Sequence, residues 1–256
     1  MSPGLRAIIF DMDGTLADTE ELHRRAFNTA FAELLPGCEW SASEYHDLLS
    51  VSGGKERIRS YLRARIQAEE LPHTTLHLAE TAHQRKSDVY RELIGERGLA
   101  LRPGVRRLLD DAGREEIPIA IATSSSRRNV EALLGTTLGA DALSRFAAIA
   151  TSDEVEDKKP SPAVYRYVLD RLQLSAGDCV AIEDTRNGNL AALGAGLKTV
   201  ITTHRFTVDN DFGGAALVID QLGEPHRPFT VRQGDPRGAA YVSIDLLRGI
   251  VREGTA

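Results

Sequence analysis

The sequence predicts an α/β protein, a parallel sheet covered by helices, interrupted straight after its first strand by an all-helical insertion. Three observations predict this. Leu5 to Phe10 is apolar at nearly every position, as suits a central strand buried on both faces. From Asp18 to about Arg97 the pattern is helical, with few strand signals. Beyond it, apolar runs at 117–123, 147–150, 179–183 and 197–202 alternate with helical segments near 104–113, 127–135, 162–173 and 187–195. That alternation is the mark of βα units and a parallel sheet.

The first strand, 5–11, runs into Phe10-Asp11-Met12-Asp13-Gly14-Thr15. Parallel sheets carry chemistry at their carboxyl ends, and there Asp11 and Asp13 can lean toward a common site while Gly14 lets the backbone turn. Alone, the pair reads equally as an Asp-rich turn. The insertion opens on a helix with Asp18 as its cap, Glu21 as a capping-box partner, and an apolar stripe of Ala26, Phe27, Ala30, Phe31 and Leu34. The chain returns near Leu101-Arg102-Pro103-Gly104, so two crossings allow the insertion to hinge over the acidic site as a lid. This divides the chain into a core of 1–17 and 100–256 and a helical cap of 18–99. Past Asp220 the only signature is a short helix at 240–252.

With 256 residues, 31 basic against 37 acidic side chains and a net charge of −6, the chain has ample apolar content for a core and no basis for nonspecific binding to nucleic acid or an anionic membrane. A phosphate site must therefore be local. Cys38 and Cys179 are far apart and suggest neither a disulfide framework nor a zinc knuckle, and Cys179 opens an apolar run where core packing is expected. No charged-then-apolar leader and no run of membrane-spanning length is present, so a cytoplasmic enzyme acting as a monomer is expected.

Three further strand ends repeat the polar pattern. Ile117 to Ala122 runs into Thr123-Ser124-Ser125-Ser126 at a helix start, where hydroxyls and free amides suit a phosphate as well as they suit plain N-caps. In Lys158-Lys159-Pro160-Ser161-Pro162, Pro160 restrains Lys159 as a point charge, Lys158 is expected to turn outward, and Ser161 to cap the helix that Pro162 begins. Val180 to Ile182 ends in Glu183-Asp184, carboxylates that are costly at a buried strand end unless a cation or donors offset them. Asp11, Glu183 and Asp184, with a backbone carbonyl from Asp13, make an oxygen-only site suited to Mg²⁺, and no His or Cys cluster supports zinc. Acidic turns and caps explain each motif singly but not their joint order.

That ordered set resembles the haloacid dehalogenase (HAD) superfamily, with all four motifs present over residues 5 to about 203 and the insertion similar to its first type of cap. The resemblance implies a Rossmann-like core, Asp11 as the nucleophile forming an aspartyl phosphate, and Asp13 as general acid and base. It also implies Thr123 and Lys159 as phosphoryl ligands, beside the Ser124 hydroxyl and amide expected at the helix start, and Asp11, Asp13, Glu183 and Asp184 as the Mg²⁺ site. An acid at Asp13 suits a phosphate ester, whose leaving alkoxide needs a proton.

The insertion is expected to choose the substrate. Glu20 and His23 share a helix face near the catalytic loop, Tyr45 is expected in the same pocket, and Gly53-Gly54-Lys55-Glu56-Arg57 puts two cations at a helix start where Lys55 or Arg57 could hold a second phosphate. The stretches Asp18 to Phe27, Gly53 to Ile58 and Lys158 to Pro162 look most like the CbbY and β-phosphoglucomutase-like branch, within which His23 stands where a histidine meets the sugar. This implies a phosphatase for a small sugar phosphate, such as xylulose 1,5-bisphosphate. A phosphosugar mutase shares the same motifs. A regulatory phosphate-binding protein without turnover would be expected to have lost Asp11 or Asp13, and both are present.

Overall fold

The structure, a computed structural model, describes residues 4–67 and 70–252; the outermost parts of the expected core and two residues of the expected cap lie outside these. Among the described residues, strands β1 (Ala7–Phe10), β2 (Ile119–Ala122), β3 (Ala148–Ala150), β4 (Cys179–Glu183), β5 (Lys198–Thr202), β6 (Leu217–Ile219) and β7 (Val231–Gly234) form one sheet in the order β3-β2-β1-β4-β5-β6-β7. All neighbouring pairs are parallel except β6 with β7. This is the doubly wound order, with the reversal of direction falling between β1 and β4. Ligand crevices open at that reversal, and both carboxylate motifs end there.

The strands bury two unlike faces because Ala alternates with larger residues along them. Ile8, Phe10, Ile119, Ile121, Val180 and Ile182 pack with α5 (Val105–Arg114), α6 (Arg127–Leu138) and α9 (Ile244–Arg252). Ala7, Ala120, Ala122, Ala148 and Ala181 face α7 (Ala163–Leu172) and α8 (Arg186–Gly194), and their small side chains admit the fully buried Tyr165.

Between β1 and β2 lie α1 (Glu20–Leu34), α2 (Ala42–Leu48), α3 (Gly54–Ile66) and α4 (His73–Arg97), with a core of their own around Phe27, Phe31, Trp40, Tyr45 and Ile58. The expected stripe is buried at Ala26, Phe27, Ala30 and Phe31, with Leu34 half-buried. The N-cap expected at Asp18 is not formed. Thr19, not Asp18, occupies the N-cap and makes no capping bond, because its hydroxyl donates to Asp13 Oδ1 at 2.8 Å; Glu21 pairs with Arg24 and Arg205 instead. The two crossings run side by side, with Arg102 N donating to Leu16 O at 2.8 Å.

Two strands escape the sequence reading. β6 has only three residues, and β7 is an exposed edge strand whose Val-Arg-Gln-Gly has no apolar alternation. The tail helix is α9, and no helix among the described residues is long and apolar enough to cross a membrane.

The loop after β5 reaches across to the insertion. Phe206 is 4% exposed within the insertion's aromatic core, edge-on to Tyr45 at 5.7 Å. Phe206→Ala should cost about 3–5 kcal/mol by urea unfolding, as expected for a buried Phe truncated in a packed core. An unchanged midpoint would mean that this loop is not docked in solution.

Candidate active site

Parallel pairing of Phe10 with Ile182 brings the residues after β1 and β4 together, and Asp11 N donates to Ile182 O at 2.9 Å. Asp11, Glu183 and Asp184 each offer a carboxylate oxygen within 4.8 Å of the others, and all three are buried. Burial, reinforced by the Glu183 and Asp184 charges, pushes the Asp11 carboxyl well above its ordinary range despite Lys159. Burial likewise raises Asp184 against its bond to His204. Three hard oxygen donors with uncompensated charge fit a hard divalent cation such as Mg²⁺.

Lys159 is the charge the chain itself supplies. Its Nζ donates to Asp11 Oδ1 at 2.6 Å, Glu183 Oε1 at 2.5 Å and Ala122 O at 2.9 Å. Burial alone would lower the ammonium, but Asp11 and Glu183 more than reverse this and hold it above its ordinary value. Tyr165 donates to the same Glu183 oxygen at 2.6 Å. Gly188 is needed beneath it, since a Cβ there would lie 2.0 Å from the Glu183 carboxyl.

Asp184 is held at both oxygens. Thr15 Oγ1 donates to Oδ1 at 3.0 Å and His204 Nε2 lies 2.8 Å from Oδ2. Gly14, at φ +79°, lets the turn pass this carboxylate, because a Cβ there would lie 2.3 Å from Asp184 Oδ2.

Asp13 has different company. Thr19 Oγ1 and Tyr90 Oη donate to its Oδ1 at 2.8 and 2.9 Å, His23 Nε2 lies 3.0 Å from that oxygen, and Ser125 Oγ donates to Oδ2 at 2.5 Å. Burial would raise this carboxyl, but the His23 charge and the hydrogen bonds from His23, Ser125 and Thr19 overcome it and hold Asp13 well below the usual carboxylate range. Behind His23, Lys86 Nζ is 2.7 Å from Nδ1, and Tyr90 stacks on the imidazole at 4.0 Å. Burial, against the Asp13 charge and with help from Arg57, pushes Lys86 down to about 8.

A cavity of about 530 Å³ joins these groups to the insertion. Asp11, Asp13, Glu20, His23, Gly54, Lys55, Arg57, Thr123, Ser124 and Lys159 of the sequence-predicted set line it. Glu183 and Asp184 sit behind Asp11, and Tyr45 is off the wall. Fully buried among aromatics, Tyr45 donates to Glu20 Oε2 at 2.6 Å and so orients a lining residue. Arg57 is largely spent on structure, with bonds to Leu48 O, Val51 O and Tyr45 Oη. Lys55 makes no such bond among the described residues. Lys158 faces inward, contrary to expectation: it is half-buried on the cavity wall, with its ammonium lowered by burial and by Lys55 against the pull of Glu56.

The expected caps also shift. α6 starts after Ser126, leaving Thr123 Oγ1 to accept from Ser125 N at 3.1 Å, and Pro162 takes the N-cap of α7 in place of Ser161. Ser124 is thus in the strand-to-helix loop, ahead of the helix it was expected to cap.

Sequence reasoning missed Ser125, Thr19, Tyr90 and His204 as partners of the acids, Lys86 as the partner of His23, and His83 as a cavity residue. His83 is pushed down to about 3 by burial and the nearby Lys86 and Lys55 charges, which leaves a neutral imidazole among cations. One signal was available: His83, Lys86 and Tyr90 are spaced three and four apart on α4, a polar stripe on one helix face.

Residues 5–196 match the family model of haloacid dehalogenase-like hydrolases. The chain is similar to the plasmid CbbY protein of Cupriavidus necator, 47% identical over 242 residues, 94% of each chain. It is 43% identical over 220 residues to CbbY of Cereibacter sphaeroides, covering 86% of this chain and 94% of that one. A crystal structure of a CbbY mutant from Rhodobacter sphaeroides in complex with xylulose-1,5-bisphosphate superposes with a TM-score of 0.78 at 41% identity, covering 85% of this chain and 94% of that chain. The ordered carboxylates, hydroxyls and lysine at adjoining strand ends are therefore those of a family member, and the chain belongs to the haloacid dehalogenase-like hydrolases.

Proposed function

We propose that this enzyme is a Mg²⁺-dependent phosphatase that hydrolyses a small sugar phosphate through an aspartyl phosphate on Asp11, and that its substrate is a sugar bisphosphate such as xylulose 1,5-bisphosphate. The observation that carries the reading is a cavity whose wall brings Asp11 and Lys159 together with Lys55 of the insertion and Lys158 of the sheet side. The likeness to a CbbY structure holding xylulose-1,5-bisphosphate supports the same class of ligand. In this reading residues 18–99 act as a cap on a core of 1–17 and 100–256. Asn187 Nδ2, donating to Ser50 O at 2.9 Å, and Arg91 Nη1, donating to Asn129 Oδ1 at 3.2 Å, tie the two across the cavity.

Asp11, Glu183 and Asp184, with the carbonyl of Asp13, would hold Mg²⁺, which supplies charge neutralisation to the phosphoryl oxygens and to the carboxylates. Lys159, already on Asp11, would neutralise a further phosphoryl oxygen, with Thr123 and Ser124 as hydroxyl and amide donors. An Asp11 oxygen attacks phosphorus as the bond to the sugar oxygen breaks, and that oxygen takes a proton from Asp13. Water then attacks the acyl phosphate, gives its proton to Asp13 and releases inorganic phosphate with Asp11 restored. The donors around Asp13 stabilise its anion, the form needed in the second half. Its acid form requires the entering leaving group to displace one of them. Glu20, oriented by Tyr45, and His23 would meet the sugar hydroxyls.

Phosphate release from sugar mono- and bisphosphates with Mg²⁺ tests the reading. Asp11→Asn should abolish it, Asp13→Ala should lower kcat by about 10²–10⁴, and chelation with EDTA should silence the wild type. Wild type as inactive as both variants would defeat the proposal, and conversion of β-glucose 1-phosphate to glucose 6-phosphate without phosphate release would select a mutase. Lys55→Ala should raise KM for a bisphosphate about tenfold or more, the worth of one charged hydrogen bond, and alter a monophosphate far less. Equal losses would remove Lys55 from the second-phosphate role. The Lys86 cation exists below about pH 8 and is lost above it, so kcat/KM should fall as pH rises through 8. Lys86→Arg, which keeps its charge, should move that limb upward; an unmoved limb would assign it to another group.

A further inference from the structure

Arg102 stands where the chain returns from the insertion, and its guanidinium makes an unusual set of bonds. Nη1 donates to Gly14 O, to Thr202 O at 3.0 Å and to Thr202 Oγ1 at 3.1 Å; Nη2 donates to Thr203 O at 2.7 Å and Asp220 O at 2.8 Å. Among the described residues, no carboxylate is bonded to it. The cation thus sits on four carbonyls and a hydroxyl drawn from three segments of chain.

Two of those segments hold Asp184. Gly14 precedes Thr15, whose hydroxyl fixes Asp184 Oδ1, and Thr203 precedes His204, whose ring fixes Oδ2. The same Gly14 turn carries the Asp13 carbonyl on its other side. The planar fork of Arg102 therefore sets the spacing of the two clamps on one carboxylate, a task to which a single-point ammonium is poorly suited.

We propose that Arg102 is a positioning residue for the cation site, holding the Gly14–Thr15 and Thr202–His204 segments at the separation that aims Asp184. The inference rests on the reading of Asp184 as a cation ligand. Groups that orient ligands from behind shape metal affinity without touching the metal.

Arg102→Lys keeps the charge and removes the fork. Calorimetric Mg²⁺ binding to this variant should weaken about tenfold, within the range for such outer groups, in a protein that still unfolds cooperatively without metal, at a melting temperature below that of the wild type because buried carbonyls lose their donor. kcat should recover toward wild type at saturating Mg²⁺. Wild-type Mg²⁺ affinity in a folded Arg102→Lys protein would overturn the proposal and leave Arg102 a structural residue. Asp184→Asn is measured alongside: if it binds Mg²⁺ as the wild type does, the reading of Asp184 fails, independently of Arg102. Should Arg102→Lys not fold, hydrogen exchange of the wild type decides. Protection of 14–17 and 203–208 rising with one Mg²⁺ midpoint supports the coupling, and a response confined to one segment overturns it.

Discussion

Three carboxylates buried at the ends of β1 and β4 carry a charge that no strand or helix offsets, and the surrounding architecture answers it. Isolated, such groups would take up protons, as the raised Asp11 and Asp184 carboxyls indicate. Lys159, arriving from the loop before α7, neutralises part of the excess at Asp11 and Glu183. The remainder suits a divalent cation, and the geometry that admits one depends on glycine at 14 and 188, where a side chain would collide with the acids. Sheet, loops and glycines thus converge on one electrostatic requirement.

The insertion meets that requirement from the other side. His23, Thr19 and Tyr90 all reach a single oxygen of Asp13, so the acid nearest the insertion is held largely by the insertion's own residues. Asp11 and Asp13 lie two residues apart and experience opposite environments. One carboxyl is raised by burial beside other acids, and the other is lowered by donors. Separation of this kind is how two carboxyls of one type take on different roles. Phe206 and Asn187 fasten the insertion onto the sheet side, over the cavity that both acids line.

The order of strands and the acids at their ends were legible because burial on both faces forces apolar runs and because polar residues at strand ends have few structural reasons to recur in sequence order. What was not legible depended on side chains choosing among competing partners. Thr19 and Asp18 stand equally well before α1, but the nearby Asp13 anion drew the Thr19 hydroxyl away from any cap. Lys158 and Lys159 differ by one position, and only the cavity shape turned both inward. Arg57 looked like a free cation at a helix start, yet Leu48 and Val51 carbonyls had claimed it. β7 lacked any pattern because an exposed edge strand needs none.

By itself, the sequence determined the α/β core, the position of the helical insertion, and the acids, hydroxyls and lysine expected at the strand ends, since these follow from periodicity and from local chain chemistry. Only the tertiary structure decided which donors surround each acid, that Tyr45 serves Glu20 in place of the cavity, that Arg102 and His204 come to the Gly14 turn and Asp184 from afar, and that Phe206 docks in the insertion's core. Contacts such as Thr15 with Asp184 join residues 169 positions apart. No local pattern records them, because they exist only where strand order brings distant ends together.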